Sequence, residues 1–415
     1  MESQKKNAVR DISKLPKAQA IFLGLQHALA MFGATILVPI LTGLHVSVAL
    51  FTAGVGTWAF HLITKKKVPA YLGSSFAFIA PISLVVEQHG GIPAAQGGII
   101  MAGIIYMIVA FIIYKVGPGL IKKVFPPIVT GPVIMIIGLT LAPVAINSST
   151  GSVQNVVVAI AALLGAVIAA IFAKGFLKIV PIIVGLVVGY VVAIIVGIVD
   201  FTPILDKAWL GLPQFTVPAI NMRAITIIAP VAIVSMVEHV GDILAISETI
   251  GKGRQLLTDP GIHRTMAGDG IATAIAGIFG GPPNTTYGEN TGVLAITKVY
   301  DPLVMRIGAT FAIVMAVIPK FGGFIETIPG AVIGGISILL YGMIAAIGIR
   351  TLVENQVDLK LSRNLVVGAV TLVLGLGGAS LSFWGLEFSG MALAALVGII
   401  LNLVLPGGEE KIATT

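Results

Sequence analysis

A carboxylic acid stands in the middle of an apolar segment of this chain, and it is the clearest sign of chemistry in the sequence. Glu238 follows the apolar run from Ala224 to Val237. At ~1.5 Å per helical residue, that run places Glu238 roughly 20 Å into a hydrocarbon core of about 30 Å. An ionisable side chain costs about 2.5 kcal/mol or more at that depth. Residues 224–249 contain no lysine or arginine to pair with it, so we interpret Glu238 as a binding or proton-carrying group.

Three further ionisable residues accompany Glu238 in apolar segments. Asp242 follows it by one helical turn on the same face, so the two carboxyls are expected to titrate as a coupled pair that shares one proton. His27 lies in the first apolar segment, and Glu289 lies in another. For proton coupling we select Glu238, Asp242 and His27. The alternatives are a packing role for His27, a water-facing position for Asp242 and a helix-capping role for Glu289.

Two stretches of the sequence favour extended backbone rather than helix. Tyr71–Phe78 and Asn284–Gly288 are rich in β-branched, aromatic and small residues. Because open strand edges are not tolerated in lipid, the two stretches are expected to pair with each other inside the protein. Each stretch then leads into a half-helix whose N-terminal N–H groups are free and carry partial positive charge.

These groups together define a complementary ligand. Free main-chain N–H groups can donate to ligand carbonyls, while Glu238 and Glu289 can accept from ligand N–H groups through charge-assisted hydrogen bonds. A ring with an alternating N–H and C=O edge, as in uracil, fits that set. Phe76 and Tyr287 are candidates for stacking on such a ring, and core packing is an equally good explanation of both.

The composition indicates that membrane helices position these residues. Of 415 residues, 57% are hydrophobic and 10% are charged, and the mean hydropathy is +1.04, whereas soluble domains carry about 25% charged residues. Apolar stretches of spanning length recur from end to end, so we predict an all-α polytopic membrane protein. We place fourteen transmembrane segments at 20–43, 48–64, 71–87, 97–114, 120–142, 155–173, 179–200, 223–249, 266–280, 284–298, 302–319, 326–348, 364–379 and 387–405.

The distribution of basic residues supports an even number of segments with both termini in the cytoplasm. On that topology, all 25 lysines and arginines lie on the inner side except Lys207, Arg223 and Lys320. One missed segment would invert every later loop and remove this asymmetry. The net charge of +7 is then mostly loop charge beside anionic membrane lipid, and it requires no nucleic-acid partner. The chain has no cysteine, which excludes disulfides and thiolate metal sites.

A polar loop at residues 200–222 divides the chain into halves of seven segments each. Residues 1–199 hold segments 1–7 and residues 223–415 hold segments 8–14. An odd number of segments per half makes the second half an inverted repeat of the first. The two broken, partly extended segments are segments 3 and 10, the third of each half. Such matched broken segments are the best pointer in a sequence to a transporter site.

The residues around Glu289 resemble the signature of the nucleobase–ascorbate transporter family. That signature is a Glu, Gln or Pro followed by Asn-x-Gly, four further residues, Thr, and then Lys, Arg or Gly. Here Glu289-Asn-Thr-Gly292, Thr297 and Lys298 match it. The pair Gln26-His27 matches the first segment of the family. The resemblance covers essentially the whole chain.

This resemblance implies both a fold and an activity. The fold is fourteen segments in two inverted repeats, with a core domain of segments 1–4 and 8–11 and a gate domain of segments 5–7 and 12–14. The activity is secondary active import of a nucleobase across the cytoplasmic (inner) membrane by proton symport with alternating access, and Glu at position 289 points to uracil. The implied substrate contacts, to which we add Tyr287, are Glu238, Glu289, Phe76, Gly288 and Ala34.

Other functions stay open on the sequence alone. A proton-coupled purine permease of the xanthine type is the nearest alternative, although Glu289 disfavours it. An ion or water channel would need a continuous polar stripe along several helices, whereas the polar residues here cluster at a few depths. We expect no enzyme, cofactor or metal site, since no metal-ligand spacing or nucleophile–base pair is found. The oligomeric state is open, with a homodimer as one option.

Overall fold

The helices and strands are given by a computed structural model that describes residues 8–406 except 179, 384 and 385. Helices before the central loop are α1 (Lys17–Thr42), α2 (Val46–Ile63), α3 (Ile79–Gln88), α4 (Gly91–Val116), α5 (Gly119–Val124), α6 (Pro127–Thr140), α7 (Ala142–Ser149), α8 (Val153–Phe172) and α9 (Pro181–Val196). From the loop onward they are α10 (Thr202–Leu205), α11 (Met222–Ile228), α12 (Ala232–Thr249), α13 (Ile262–Phe279), α14 (Gly288–Thr297), α15 (Leu303–Ala316), α16 (Pro319–Glu326), α17 (Gly330–Glu354), α18 (Ser362–Leu376) and α19 (Gly390–Val404). Both chain ends lie outside the described residues.

Four short strands accompany these helices. β1 (Leu72–Ser74) pairs antiparallel with β2 (Asn284–Thr286), so the prediction that segments 3 and 10 contain paired extended stretches is confirmed. β3 (Ser380–Phe383) and β4 (Leu386–Ser389) form a second antiparallel pair, which the all-α prediction missed. Ser380-Leu-Ser-Phe383 alternates polar and apolar residues, and that period of two favours a strand. The last predicted segment, 387–405, therefore begins in a strand.

Prolines divide two of the predicted segments. A 3-10 turn at Ala229–Val231, with Pro230 at its centre, separates α11 from α12. Proline has no N–H and its ring clashes with the preceding turn, so the predicted segment 223–249 is found as one spanning unit, Met222–Thr249, with a 3-10 break inside it. Pro126 likewise stands between α5 and α6 and divides the predicted segment 120–142.

Seven helical units in the described part of the chain are long and apolar enough to cross a membrane. They are Lys17–Thr42, Val46–Ile63, Gly91–Val116, Pro127–Ser149, Val153–Phe172, Met222–Thr249 and Gly330–Glu354. α15 and α16, which meet at a bend of 84°, make an eighth if they are counted as one. Further apolar helices are shorter, among them Pro181–Val196 and Gly390–Val404. The total of fourteen segments stays a prediction.

The helices pack in two groups. In the first group, α13 lies against α2 and α4, and α15 lies against α1 and α2, so this group joins helices from both halves of the chain. In the second group, α17 packs against α6, α7, α8 and α9, and α18 packs against α6 and α19. The assignment of these groups as core and gate domains stays a prediction.

Glycines bring the backbones of the second group into contact. A methyl group on Gly138 of α6 would meet the carbonyl oxygen of Tyr341 and would lie 2.8 Å from the backbone nitrogen of Ala345. A methyl group on Gly348 of α17 would lie 2.6 Å from the carbonyl oxygen of Gly131. Small residues permit this approach in lipid, where van der Waals packing drives helix association. They hold α6 and α17 together as one unit.

The loop between the halves is partly structured. It was predicted at 200–222, but it contains the short helix α10, and its last residue, Met222, already begins α11. Lys207 Nζ lies 2.6 Å from Glu326 Oε1 of α16. Phe215 packs against Phe51 of α2 and Phe279 of α13, with ring centroids 5.1 Å apart in both pairs. These contacts attach the loop to α2, α13 and α16.

We expect Gly138→Ala to destabilise the protein by roughly 1–3 kcal/mol, because the added methyl group forces the backbones of α6 and α17 apart. Gly342→Ala is the matched control on α17, since a methyl group there meets nothing within 4 Å. The control should be neutral or stabilising by up to about 1 kcal/mol, given the helix preference of alanine. The thermal unfolding temperature in detergent measures both. An unchanged temperature for Gly138→Ala would contradict the close α6–α17 contact.

Candidate functional site

The centre of the candidate site is the two-stranded ribbon of β1 and β2. Its register pairs Leu72 with Thr286, Gly73 with Thr285 and Ser74 with Asn284. Hydrogen bonds from Ser75 N to Pro283 O (2.9 Å) and from Tyr287 N to Tyr71 O (3.0 Å) extend the pairing at both ends. β2 leads directly into α14 at Gly288, and β1 leads through a 3-10 turn into α3. The free N–H groups at the start of both half-helices therefore lie beside the ribbon.

Side chains from neighbouring helices close the edges of the ribbon. Thr57 Oγ1 of α2 accepts a hydrogen bond from Leu72 N (3.0 Å). Thr273 Oγ1 of α13 donates to Asn284 O (2.9 Å), and the Asn284 amide donates to Thr52 O of α2 (3.0 Å). An unbonded backbone group costs several kcal/mol in lipid, so these contacts are what permit strands at this depth.

The carboxyl pair on α12 borders the end of this ribbon. Asp242 Oδ2 accepts a hydrogen bond from Thr286 Oγ1 (3.0 Å), and a methyl group placed on Gly288 would lie 3.5 Å from Asp242 Oδ1. Asp242 is half-buried and adjoins the start of α14. Glu238 is also half-buried, and its Oε2 has no hydrogen-bond partner in the described part of the chain. The structure thus brings Asp242 and the predicted contact Gly288 together.

No cation compensates the carboxyls of Glu238, Asp242 and Glu289 in the described structure. The ion pairs found among the described residues are Lys67–Asp259, Lys207–Glu326, Arg350–Glu354 and His239–Asp269. The charged neighbours of Glu238 include the carboxyls of Glu289 and Asp269. The arrangement therefore offers acceptors that can bind a ligand N–H or hold a proton.

A cavity of about 20 Å³ lies beside Glu289 between the two helix groups. Its walls are Ala30, Gly33 and Ala34 of α1 and Val180, Ile182, Ile183 and Leu340 of the second group. A single water needs about 10–15 Å³ of such space, so the cavity admits little more than one water. The predicted contacts Ala34 and Glu289 thus line the same closed gap.

The aromatic residues predicted to contact a ligand are buried at the same place. Phe76 is 5% exposed and meets Tyr341 of α17 edge to face, with ring centroids 6.2 Å apart. Tyr287 is 4% exposed, and its hydroxyl donates to Ser74 O (2.9 Å) and lies 3.3 Å from Thr35 Oγ1. Tyr287 therefore braces the ribbon against α1, and its role as a ligand contact stays a prediction.

His27 is fully buried on α1 and joins this helix to α14. Asn290 Nδ2 donates to His27 O (3.0 Å) and lies 3.1 Å from His27 Nδ1. With Nδ1 as acceptor, the ring hydrogen is on Nε2. Among the described residues, no hydrogen bond links His27 to Glu238 or Asp242, and its part in proton coupling stays a prediction.

The structure adds a residue that the sequence analysis did not select. Asp269 of α13 is fully buried, and its Oδ2 lies 3.0 Å from His239 Nδ1. Thr286 Oγ1 lies 3.4 Å from the same nitrogen while it bonds Asp242. A signal was present in the sequence, because Asp269 is an acid inside the predicted segment 266–280, as Glu238 is inside its own.

The chain is similar in sequence to bacterial permeases. The model of the permease family matches residues 18–382. The chain is 46% identical over 416 residues to the uracil permease of Bacillus caldolyticus, covering 97% of this chain and 96% of that protein. It is 44% identical over 413 residues to the uracil permease of Bacillus subtilis strain 168, covering 95% and 94%. These relatives are permeases, which are transporters and not enzymes.

The fold is also shared with solved structures of low sequence identity. SLC26A9 superposes with a TM-score of 0.70 at 11% identity over 95% of this chain, which spans 65% of that structure's length. The transmembrane domain of the cyanobacterium bicarbonate transporter BicA superposes with a TM-score of 0.63 at 17% identity, covering 92% of this chain and 96% of that domain. At these identities the likeness shows the fold alone. The match to the permease family model, together with the apolar helices of spanning length, identifies a multi-pass membrane protein.

We expect Tyr287→Phe to lower the stability by about 0.5–1.5 kcal/mol, because Ser74 O loses its hydrogen bond at membrane depth. Tyr114→Phe is the matched control, since the Tyr114 side chain is 62% exposed. Thermal unfolding of both variants in detergent, beside wild type, measures the difference. If Tyr287→Phe unfolds at the wild-type temperature, the hydroxyl does not brace the ribbon.

Proposed function

Since the chain belongs to the permease family, whose model matches residues 18–382, we propose that it is a secondary active transporter that imports uracil by proton symport. The observation that carries the proposal is that two carboxyls, Glu238 and Glu289, are neighbours and have no cationic partner among the described residues, and that Glu289 stands in the first turn of α14. Relatives that match almost the whole chain at 44% and 46% identity carry the name uracil permease.

Uracil presents two N–H donors and two carbonyl acceptors around one ring. Glu238 and Glu289 accept from the ring N–H groups, and each such bond to a charged group contributes about 1.5–3 kcal/mol. Main-chain N–H groups at Phe76 and Gly288 donate to the carbonyls. Ala34 forms the wall of the site, since a larger side chain there would fill the gap beside Glu289. Tyr287 contributes the edge of its ring to the proposed uracil site.

The proposed topology has fourteen segments in two inverted repeats, with residues 1–199 and 223–415 as the two halves. Antiparallel pairing of one strand from each half supports it, because a two-fold axis in the membrane plane relates matching elements in this way. Both termini lie in the cytoplasm and the protein lies in the inner membrane, as the distribution of basic residues favours.

Transport requires the two helix groups to separate. The first group corresponds to the proposed core (segments 1–4 and 8–11), and the second to the gate (segments 5–7 and 12–14). The cavity of about 20 Å³ between them is far too small for uracil. Alternating access is then a rigid-body shift of the core against the gate, which opens the site to one side at a time.

The proton is carried by the pair Glu238 and Asp242. Two carboxyls one helical turn apart, without a cation in the described part of the chain, repel each other when both are ionised. A proton held on the pair when the site faces outward removes that repulsion, and the neutral carboxyl can also donate to a uracil carbonyl. Proton and uracil then tighten each other's binding, and both leave when the site faces the cytoplasm.

In proteoliposomes with an inward proton gradient, we expect labelled uracil to accumulate. Unlabelled uracil and its 5-substituted analogues should compete, and xanthine should not, because two carboxyl acceptors and two main-chain donors match the edge of a pyrimidine ring. Equal competition by xanthine would favour the purine-permease alternative. Uptake that is unchanged when the gradient is collapsed would reject symport and favour a channel.

Asp242→Asn should abolish accumulation of uracil against its gradient while uracil exchange across the membrane persists, because the variant cannot release a proton from position 242. Glu238→Gln should weaken uracil binding by about tenfold or more, since it replaces a charged acceptor with an amide. Uptake, counterflow exchange and equilibrium binding separate the two effects. If Asp242→Asn accumulates uracil like wild type, Asp242 takes no part in proton coupling and Glu238 is the sole proton carrier.

A further inference from the structure

A fully buried pair of ionisable residues, His239 of α12 and Asp269 of α13, lies next to strand β2. His239 Nδ1 is 3.0 Å from Asp269 Oδ2, and His239 Nε2 is 3.0 Å from Thr265 Oγ1. All three side chains have no exposed surface. The transport mechanism proposed above gives this pair no role, although buried ionisable pairs concentrate at functional sites.

The hydrogen bonds around the pair determine how many hydrogens it holds. Thr265 donates its hydroxyl hydrogen to Ile262 O (3.0 Å), so its oxygen can only accept from His239, and Nε2 therefore carries a hydrogen. His239 Nδ1 lies 3.0 Å from Asp269 Oδ2, which has no hydrogen-bond partner in the described part of the chain, and 3.4 Å from Thr286 Oγ1. A bare Nδ1 and a carboxylate would repel each other at 3.0 Å in a dry interior, so the pair holds a second hydrogen, on Nδ1 or on Asp269. The pair thus holds one proton more than a neutral imidazole and a carboxylate.

Thr286 connects this second hydrogen to the site. Its Oγ1 lies 3.4 Å from His239 Nδ1 and donates to Asp242 Oδ2 at 3.0 Å. A hydroxyl can accept one hydrogen bond and donate another at the same time. Thr286 is only 1% exposed, so the connection runs through the protein interior.

We propose that His239 and Asp269 form a second proton-holding site of the transporter, linked to Asp242 through the hydroxyl of Thr286. The proposal rests on the proposed proton symport and names the residues that exchange a proton with Asp242. In the transfer, the N–H bond at His239 Nδ1 breaks and an O–H bond forms at Thr286, whose own hydrogen moves to Asp242 Oδ2. The pair becomes anionic and Asp242 becomes neutral. His239 and Asp269 are positioning residues, since neither is proposed to touch uracil.

The surroundings of the pair keep the proton inside the protein. Phe60 of α2 covers the His239 ring, with centroids 6.4 Å apart, and the neighbouring His61 turns its Nε2 to a backbone carbonyl (2.9 Å). Tyr106 of α4 is buried close enough to Asp269 to be affected by its charge. The other ionisable groups nearby are Glu238 and Asp242 on α12 and Glu289 on α14. Within the described ranges, no lysine or arginine is paired with Asp269.

The test compares uracil accumulation with uracil exchange in proteoliposomes. Thr286→Val removes the hydroxyl at similar volume, and it should lose accumulation under a proton gradient while it keeps exchange. Thr286→Ser should restore accumulation, because it returns the hydroxyl. Asp269→Asn should behave like Thr286→Val, since the pair can no longer hold its additional proton.

Thr371→Val is the matched control. It removes another fully buried threonine hydroxyl, which donates to Val367 O within α18 (2.7 Å) and lies outside the ribbon, and it should accumulate uracil like wild type. If Thr286→Val does not give monodisperse protein, nitrogen-15 spectra of histidine-labelled wild type replace it, with His239→Gln to assign the signal. Those spectra should show a hydrogen on Nε2 of His239, and a bare Nε2 would overturn the proposal.

The outcomes separate this proposal from the proposed function. If wild type accumulates uracil and Thr286→Val does so equally, the proposed proton link through Thr286 is wrong and proton symport stands. If Thr371→Val also loses accumulation, or Thr286→Ser does not restore it, the loss is not specific to the Thr286 hydroxyl and the proposed link through Thr286 is again overturned. If wild type fails to accumulate uracil under a proton gradient, the proposed function is wrong, and the proposed proton link through Thr286 is wrong with it.

Discussion

The rest of this structure depends on one constraint, which is that main-chain polar groups cannot stay unbonded at membrane depth. β1 and β2 have three residues each, so their pairing alone leaves both outer edges open. Hydroxyls of Thr57 and Thr273 close those edges. Gly73 is required as well, because a methyl group there would lie 2.5 Å from the Tyr287 ring that reaches across the ribbon. Once the ribbon is closed in this way, the starting points of both half-helices are set.

The electrostatics of the site follow from where those half-helices begin. Glu289 stands in the first turn of α14, where the helix N-terminus supplies about half a positive charge. Glu238 is two turns beyond the break at Pro230, and its Oε2 is unbonded in the described structure. Negative charge without a cationic partner favours a neutral ligand that donates N–H groups, or a proton, over an anion. The fold does not decide this preference, since it comes from the two carboxyls.

The contacts within each helix group differ in kind from the contacts between the two groups. Gly138 and Gly348 bring α6 and α17 into backbone contact, and the ribbon joins both halves of the chain within the first group. Between the groups, Phe76 meets Tyr341, and Gly33 leaves room for Ile182. These are side-chain contacts, which can separate without breaking main-chain hydrogen bonds. The small cavity beside Glu289 lies between the two groups, where the proposed movement would open the molecule.

The sequence by itself determined the membrane class and most helix positions, because both follow from the hydropathy and charge of neighbouring residues. The helix predicted at 48–64 is found at Val46–Ile63, and the two extended stretches are strands. Only the tertiary structure decided which polar groups meet. Asp269 pairs with His239 on another helix, and Asn290 binds His27, which lies 263 residues away in the sequence. The Tyr287 hydroxyl likewise donates a hydrogen bond to Ser74 O. The physical reason is that such hydrogen bonds need a donor and an acceptor within about 3 Å. For residues far apart in sequence, helix packing and strand register set that distance, and no local pattern encodes it.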